Sequence, residues 1–131
     1  MIFLDSSAIY ALADKRDSNH ETAVSRLQTI LDGGEELLTH NYVVLESVSL
    51  LQARLGLSAA ATFARESSAF VVDWVDRDLH ASGIREMERS GKRRISLVDH
   101  ISFLVMRRRK VEIAFAFDPD FKTEGFRLFD A

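Results

Sequence analysis

The sequence predicts an α/β protein, a three-layer arrangement with a short, mainly parallel central sheet flanked by helices. Three observations carry this reading. Residues 1–4 (MIFL) and 113–117 (IAFAF) are unbroken apolar runs, too short for helices, as strands buried on both faces are. Segments with helical spacing lie between them, alternating with shorter apolar runs and joined by brief polar connections. The 131 residues are 47% hydrophobic and 28% charged, with six Gly and one Pro, which suits one ordered domain spanning residues 1–131.

The elements follow in order. The first strand stops at Asp5, and Ser6 and Ser7 lead into Ala8, Ile9, Ala11 and Leu12 at helical spacing. Asp5 or Ser6 can cap that helix. It fades near Asp14, and Ser18-Asn19-His20-Glu21 fits a capping box for a second helix that ends at Gly33-Gly34. Residues 36–39 form a weak strand. Asn41 caps a third helix running to about Leu55, apolar nearly all round and so expected to be buried on most sides. Ser58 starts its hairpin partner. Residues 70–75 (FVVDWV) read as a strand, and Asp76 or Asp78 caps the helix after it. A basic loop leads to Ser96, which opens the helix SLVDHISFLVMRRR. The strand at 113–117 follows, then a last short strand at 127–129.

Composition narrows the chemistry. There are no cysteines, which removes disulfide scaffolds, thiolate metal sites and thiol nucleophiles. Met1 runs straight into the first strand and no apolar run could span a bilayer, so a cytoplasmic protein without membrane contact is expected. The net charge of −3 argues against a non-specific nucleic-acid coat. Yet seven of the 17 Lys and Arg fall between Lys92 and Lys110, with Asp99 as the one acid among them.

Four carboxylates stand where packing alone would not choose them. Asp5 and Asp118 each follow a fully apolar strand, and in a parallel sheet those ends share an edge. Glu46 projects from a mostly apolar helix, where an unpartnered acid is rarely buried. Asp99 sits in the first turn of its helix, roughly opposite the face of Leu97, Ile101, Leu104 and Val105, where the helix dipole also favours an anion. If the fold is right, all four converge. Two carboxylates about 4 Å apart repel by about 4 kcal/mol at an effective dielectric near 20. A hard cation, Mg²⁺ or Mn²⁺, relieves that repulsion. His20, His40, His80 and His100 show no zinc-ligand spacing and read as surface residues or caps.

In order, the blocks FLDSSAIYAL, NYVVLESVSLL, SLVDHISFLVMRRR and AFAFDPDF with GFRLF make the chain resemble a PIN-domain ribonuclease of the VapC toxin type. The resemblance covers essentially the whole chain. Position by position, it implies that Asp5, Glu46 and Asp99 are the family's three main acids and Asp118 the fourth. Asp5, Asp99 and Asp118 then bind Mg²⁺ or Mn²⁺, while Glu46 binds metal or orients water. Ser6 and Ser96 become auxiliary residues near the acids. Relatives often carry His where this chain has Asp120, so Asp120 stays outside the catalytic set.

The activity so implied is metal-dependent endoribonuclease cleavage, with a cognate antitoxin and a homodimer as expected partners. Arg93, Arg94, Arg107 and Arg108 are candidate RNA phosphate contacts, although Lys and Arg also suit a helix C-terminus. The hairpin from Val43 to Ala64 offers an apolar groove for the antitoxin. A catalytically silent PIN-fold module that docks RNA or protein is the rival reading, against which the intact acids argue. A haloacid-dehalogenase-type phosphatase would need Asp where Ser7 stands, and a receiver domain would need paired acids before the first helix.

Overall fold

A computed structural model describes residues 1–130. Five strands form one sheet in the order β3-β2-β1-β4-β5, all parallel. They are β1 (Ile2–Leu4), β2 (Leu37–His40), β3 (Val71–Asp73), β4 (Ile113–Phe115) and β5 (Arg127–Leu128). Helices α1 (Ser6–Ala13) and α2 (His20–Asp32) connect β1 to β2, and α3 (Asn41–Leu55) and α4 (Leu57–Glu66) connect β2 to β3. Helices α5 (Arg77–Ser90) and α6 (Leu97–Arg109) lead to β4, and the short α7 (Asp120–Thr123) precedes β5. The chain moves outward from β1 through β2 to β3, then crosses back to place β4 on β1's other side. Right-handed crossovers in opposite directions put the two helix groups on opposite faces.

Buried aromatics join the layers. Phe3 of β1 lies 5.9 Å from both His40 and Phe121, and Phe121 meets Phe103 of α6 edge-on at 5.1 Å. Helices α5 and α6 touch closely at Gly83, where an added Cβ would stand 2.4 Å from Ile101 Cδ1.

Local chemistry corrects several expectations. Asn41 does not cap α3. The Val43 N–H donates to Nδ1 of His40, while Asn41 Oδ1 accepts from the Val75 N–H at 2.6 Å and ties the exit of β3 to the helix. The box expected between Ser18 and Glu21 does not form. Asp17 takes the Asn19 N–H at 2.9 Å, the turn tightens, and the helix starts at His20. Helix α3 is buried only along Val43, Ser47 and Leu51, and Leu45 is 66% exposed, because α1 and α4 pack on it from one side. The last two strands end two and one residues early, respectively, and α7 occupies part of what read as loop.

Candidate active site

The reversal of strand order falls between β1 and β4, and open parallel sheets bind ligands at the carboxyl ends of strands beside such a point. Asp5 follows β1 there. Its N–H donates to the carbonyl of Phe115, the last residue of β4, so the two strand ends are stitched together. Asp5 is 3% exposed and caps α1. Its Oδ2 accepts from the Ser7 N–H at 3.1 Å and from the Ser7 hydroxyl at 2.6 Å. The same hydroxyl accepts from the Phe117 N–H at 2.9 Å.

Asp99 arrives from the N-terminal turn of α6. Ser96 caps that helix through Oγ and receives Asp99 Oδ2 on its own N–H, both at 3.1 Å. This reciprocal box fixes the direction of Asp99. Asp118 follows β4 and holds its turn by accepting the Asp120 N–H on Oδ1 at 2.9 Å. Each of the three acids is therefore positioned through one carboxylate oxygen, which leaves the other outside the local cap.

Asp5, Asp99 and Asp118 share an open pocket of about 300 Å³ with Ser6, Ser7, Tyr10, Asp17, Asn19, Leu50 and Phe117. Burial pushes the Asp5 carboxyl up to about 6 against the lowering pull of its Ser7 bonds, and Asp99 and Asp118 push it further. Burial also raises Asp99, with Glu46 and Asp120 adding to the rise. Asp118 is raised by burial first, then by Asp99 and Asp120. Glu46 lies one helical turn before the pocket-lining Leu50 on α3, outside the pocket wall itself.

Among the described residues, no three His, Asp or Glu side chains close on a single point as a finished metal cage. The donor set nonetheless fits a hard cation. It is all oxygen, it is held by caps on rigid elements, and its members raise one another's proton affinity, which is the repulsion a divalent ion removes.

The basic strip fares differently. Arg94 pairs with Asp120 at 3.0 Å, and Asp120 is 7% exposed, so the carboxylate left out of the site is a buried anchor for the loop before α6. Arg107 pairs with Glu124 at 2.9 Å and lies over Phe126. Arg108 and Arg109 both reach Asp73. Arg107 stands eight residues beyond Asp99 on α6, about 12 Å along the axis. Arg93 stays exposed in the loop. None of the strip lines the acidic pocket, and Arg94 alone pairs with an acid whose charge reaches Asp99 and Asp118.

Sequence reasoning missed Ser7, whose spacing from Asp5 is that of an ordinary cap partner, and the lining residues Tyr10, Asp17 and Asn19. His40 is a cap, one of the two roles the sequence allowed it, and not a surface residue. That ring is fully buried, its Nδ1 accepts from the Val43 N–H, and its Nε2–H donates to Ser102 Oγ at 2.8 Å.

A parallel sheet with capped carboxylates gathered at its switch point is the architecture of a PIN domain. Residues 2–125 match the PIN domain family model, and the chain belongs to that family. It is 38% identical over 128 residues to the 23S rRNA-specific endonuclease VapC20 of Mycobacterium tuberculosis, in both the CDC 1551 / Oshkosh and ATCC 25618 / H37Rv strains, covering 96% of this chain and 95% of the relative. The crystal structure of M. tuberculosis VapC20, a Sarcin-Ricin loop cleaving toxin, superposes with a TM-score of 0.84 at 34% identity, covering 96% of each chain.

Proposed function

We propose that this protein is an endoribonuclease, the toxin of a VapBC-type toxin–antitoxin pair, acting on the sarcin–ricin loop of 23S rRNA with Mg²⁺ or Mn²⁺. The observation that carries the reading is the meeting of Asp5, Asp99 and Asp118 in one pocket of a chain similar end to end to such an endonuclease. No helix among the described residues is long and apolar enough to cross a membrane, in keeping with work on RNA in the cytoplasm.

Asp5, Asp99 and Asp118 would hold the cation, with Glu46 beside Asp99 as a further ligand or the acceptor that orients the attacking water. When bound, the ion lowers the pKa of water and neutralises charge on the phosphodiester. The chain's own residues set the geometry. Ser7 holds Asp5 against the end of β4, and the Ser96 box turns Asp99 toward the same space. Asp5 must be ionised to act, so its elevated pKa keeps the site weak in acid.

An antitoxin needs an apolar seat. A cavity of about 540 Å³ is lined by Ile9 and Leu12 of α1, Leu27 and Leu31 of α2, and Ala59 and Phe63 of α4. It uses the second helix of the expected hairpin, with α1 and α2 in place of α3. This cavity supports the antitoxin reading. Sedimentation of the isolated chain tests the homodimer that the family implies.

The deciding experiment incubates ribosomes and a sarcin–ricin-loop hairpin with the protein, with Mg²⁺, Mn²⁺ or EDTA, alongside Asp5→Asn and Asp99→Asn. A single cut, lost with EDTA and in both variants, is expected. Divalent-metal binding without cleavage of either RNA would favour a silent binding module, and no metal binding would remove the site assignment.

A further inference from the structure

Four carboxylates repel the phosphates they are meant to meet, and the chain carries a net charge of −3. The substrate therefore needs cations at the rim of the pocket, and the strip the sequence offered is largely committed to Asp73, Asp120 and Glu124. Two other arginines lie over aromatic side chains that line the pocket. Arg26 of α2 lies 5.5 Å from the centroid of Phe117, and Arg54 of α3 lies 5.2 Å from that of Tyr10. Phe117 and Tyr10 are the two aromatic walls of the acidic pocket. Neither arginine has a carboxylate within ion-pair distance among the described residues.

Each guanidinium is thus fixed by a ring instead of an acid, which leaves its N–H donors available. The helix explains one of them. Glu46, Leu50 and Arg54 are four residues apart on α3, so one stripe carries the acid beside Asp99, the pocket wall and the cation over Tyr10 in succession. On the other side Arg26 also lines a groove of about 570 Å³ along β5 with Lys122, Arg127, Phe126 and Phe129. Asp130 is the acid at that groove. Cations interleaved with aromatic faces are what a single-stranded segment requires, for its phosphates and bases respectively.

From this geometry we infer that Arg26 and Arg54 bind the RNA phosphates on either side of the scissile one, with the strand continuing past Arg26 into the groove of Lys122 and Arg127. The inference rests on the nuclease reading. Both arginines are positioning residues for the substrate, and they act on binding before chemistry.

The test is steady-state cleavage of the sarcin–ricin-loop hairpin with Mn²⁺ across a salt series. It compares the wild type with Arg26→Gln, Arg54→Gln, the double variant, the corresponding double Lys variant, and Arg85→Gln as a charge-matched control on exposed α5. Each Gln variant should raise KM about tenfold with kcat within about twofold. The double variant should lower the salt slope of log(1/KM) by about 1.4, about 0.7 per lost phosphate contact. The double Lys variant should restore most of that slope. Unchanged KM and slope in the double variant, or an equal effect in Arg85→Gln, would overturn the inference while leaving the nuclease intact. A fall in kcat and melting temperature at constant KM would make the arginines mere props for Tyr10 and Phe117. Normal RNA kinetics with lost antitoxin binding would assign them to an acidic peptide instead. A wild type that cleaves no RNA overturns the nuclease reading and this inference with it.

Discussion

Ser7 donates its hydroxyl to Asp5 Oδ2 at 2.6 Å while accepting the Phe117 N–H at 2.9 Å, so one side chain binds the acid that follows β1 to the residue that leads from β4 to Asp118. Ser7→Ala removes both bonds and leaves a part-buried N–H without its partner. The expected cost is about 1–3 kcal/mol of stability. Because the Ser7 hydroxyl bond pulls the Asp5 pKa down, its loss should also move the acid limb of the activity profile to higher pH. Ser6→Ala, one residue away on the pocket wall, should leave stability within about 0.5 kcal/mol of the wild type. Denaturant unfolding and a pH–rate profile of both variants check this.

Asp5→Asn should abolish cleavage and stabilise the metal-free protein at neutral pH. The folded-state carboxyl is raised from 3.8 to about 6, so its favourable contribution is complete below 3.8 and is lost as pH rises through about 6. The difference of about two units corresponds to about 3 kcal/mol. Urea unfolding in EDTA should show the variant gaining on the wild type as pH climbs from 4 to 7. Adding Mn²⁺ should narrow the gap by stabilising only the wild type.

His40 works in the opposite direction. Burial drives its pKa down from 6.5 to about 3, against a smaller upward pull from Asp73. Its neutral form therefore contributes stability that is full above 6.5 and lost as pH falls toward 3. With Nδ1 accepting and Nε2–H donating, the ring has no room for a second proton without breaking the α3 cap. An NMR titration should find its imidazole resonances unmoved down to about pH 4, and His40→Gln should flatten the acid limb of unfolding.

Arg107→Gln and Arg108→Gln should leave RNA cleavage unchanged, each costing under about 1 kcal/mol as exposed ion pairs. This prediction marks where the sequence was legible. Apolar runs ending on acids located Asp5 and Asp118, because a strand's direction places its last residue at a known edge. Asp99 was read from its place in the first turn of the helix that Ser96 opens, and the reciprocal box that fixes its direction appears only in the fold. The ion pairs of Arg94, Arg107 and Arg108 were not legible, because a run of cations in sequence does not reveal the acids that the fold brings to it, and Asp73 comes from β3 while Asp120 and Glu124 come from the two ends of α7. Arg26 and Arg54 were invisible for the converse reason. Each is a lone cation on its helix face, and only the packing of α1 and of the segment after β4 sets Tyr10 and Phe117 beneath them.

Gly83→Ala should damage the site from a distance. Gly83 is buried in α5, and a methyl there would stand 2.4 Å from Ile101 Cδ1, 3.0 Å from Ile101 Cγ1 and 3.1 Å from Leu97 Cδ1. Ile101 is fully buried, so its side chain has little space in which to yield. Overpacking of this kind costs about 1–3 kcal/mol, while replacing a helical Gly by Ala returns about 1 kcal/mol. The net loss of stability is therefore modest. The functional loss should be larger, because Ile101 and Leu97 bracket Asp99 on α6, and α6 must move outward to admit the methyl. A shift of about 1 Å in a positioned group can lower a rate about a hundredfold. Cleavage kinetics set beside melting temperatures should show kcat falling much further than folding stability explains. Gly83→Ser should repeat the pattern, and equal losses in rate and stability would mean that α5 moves instead and Asp99 stays in place.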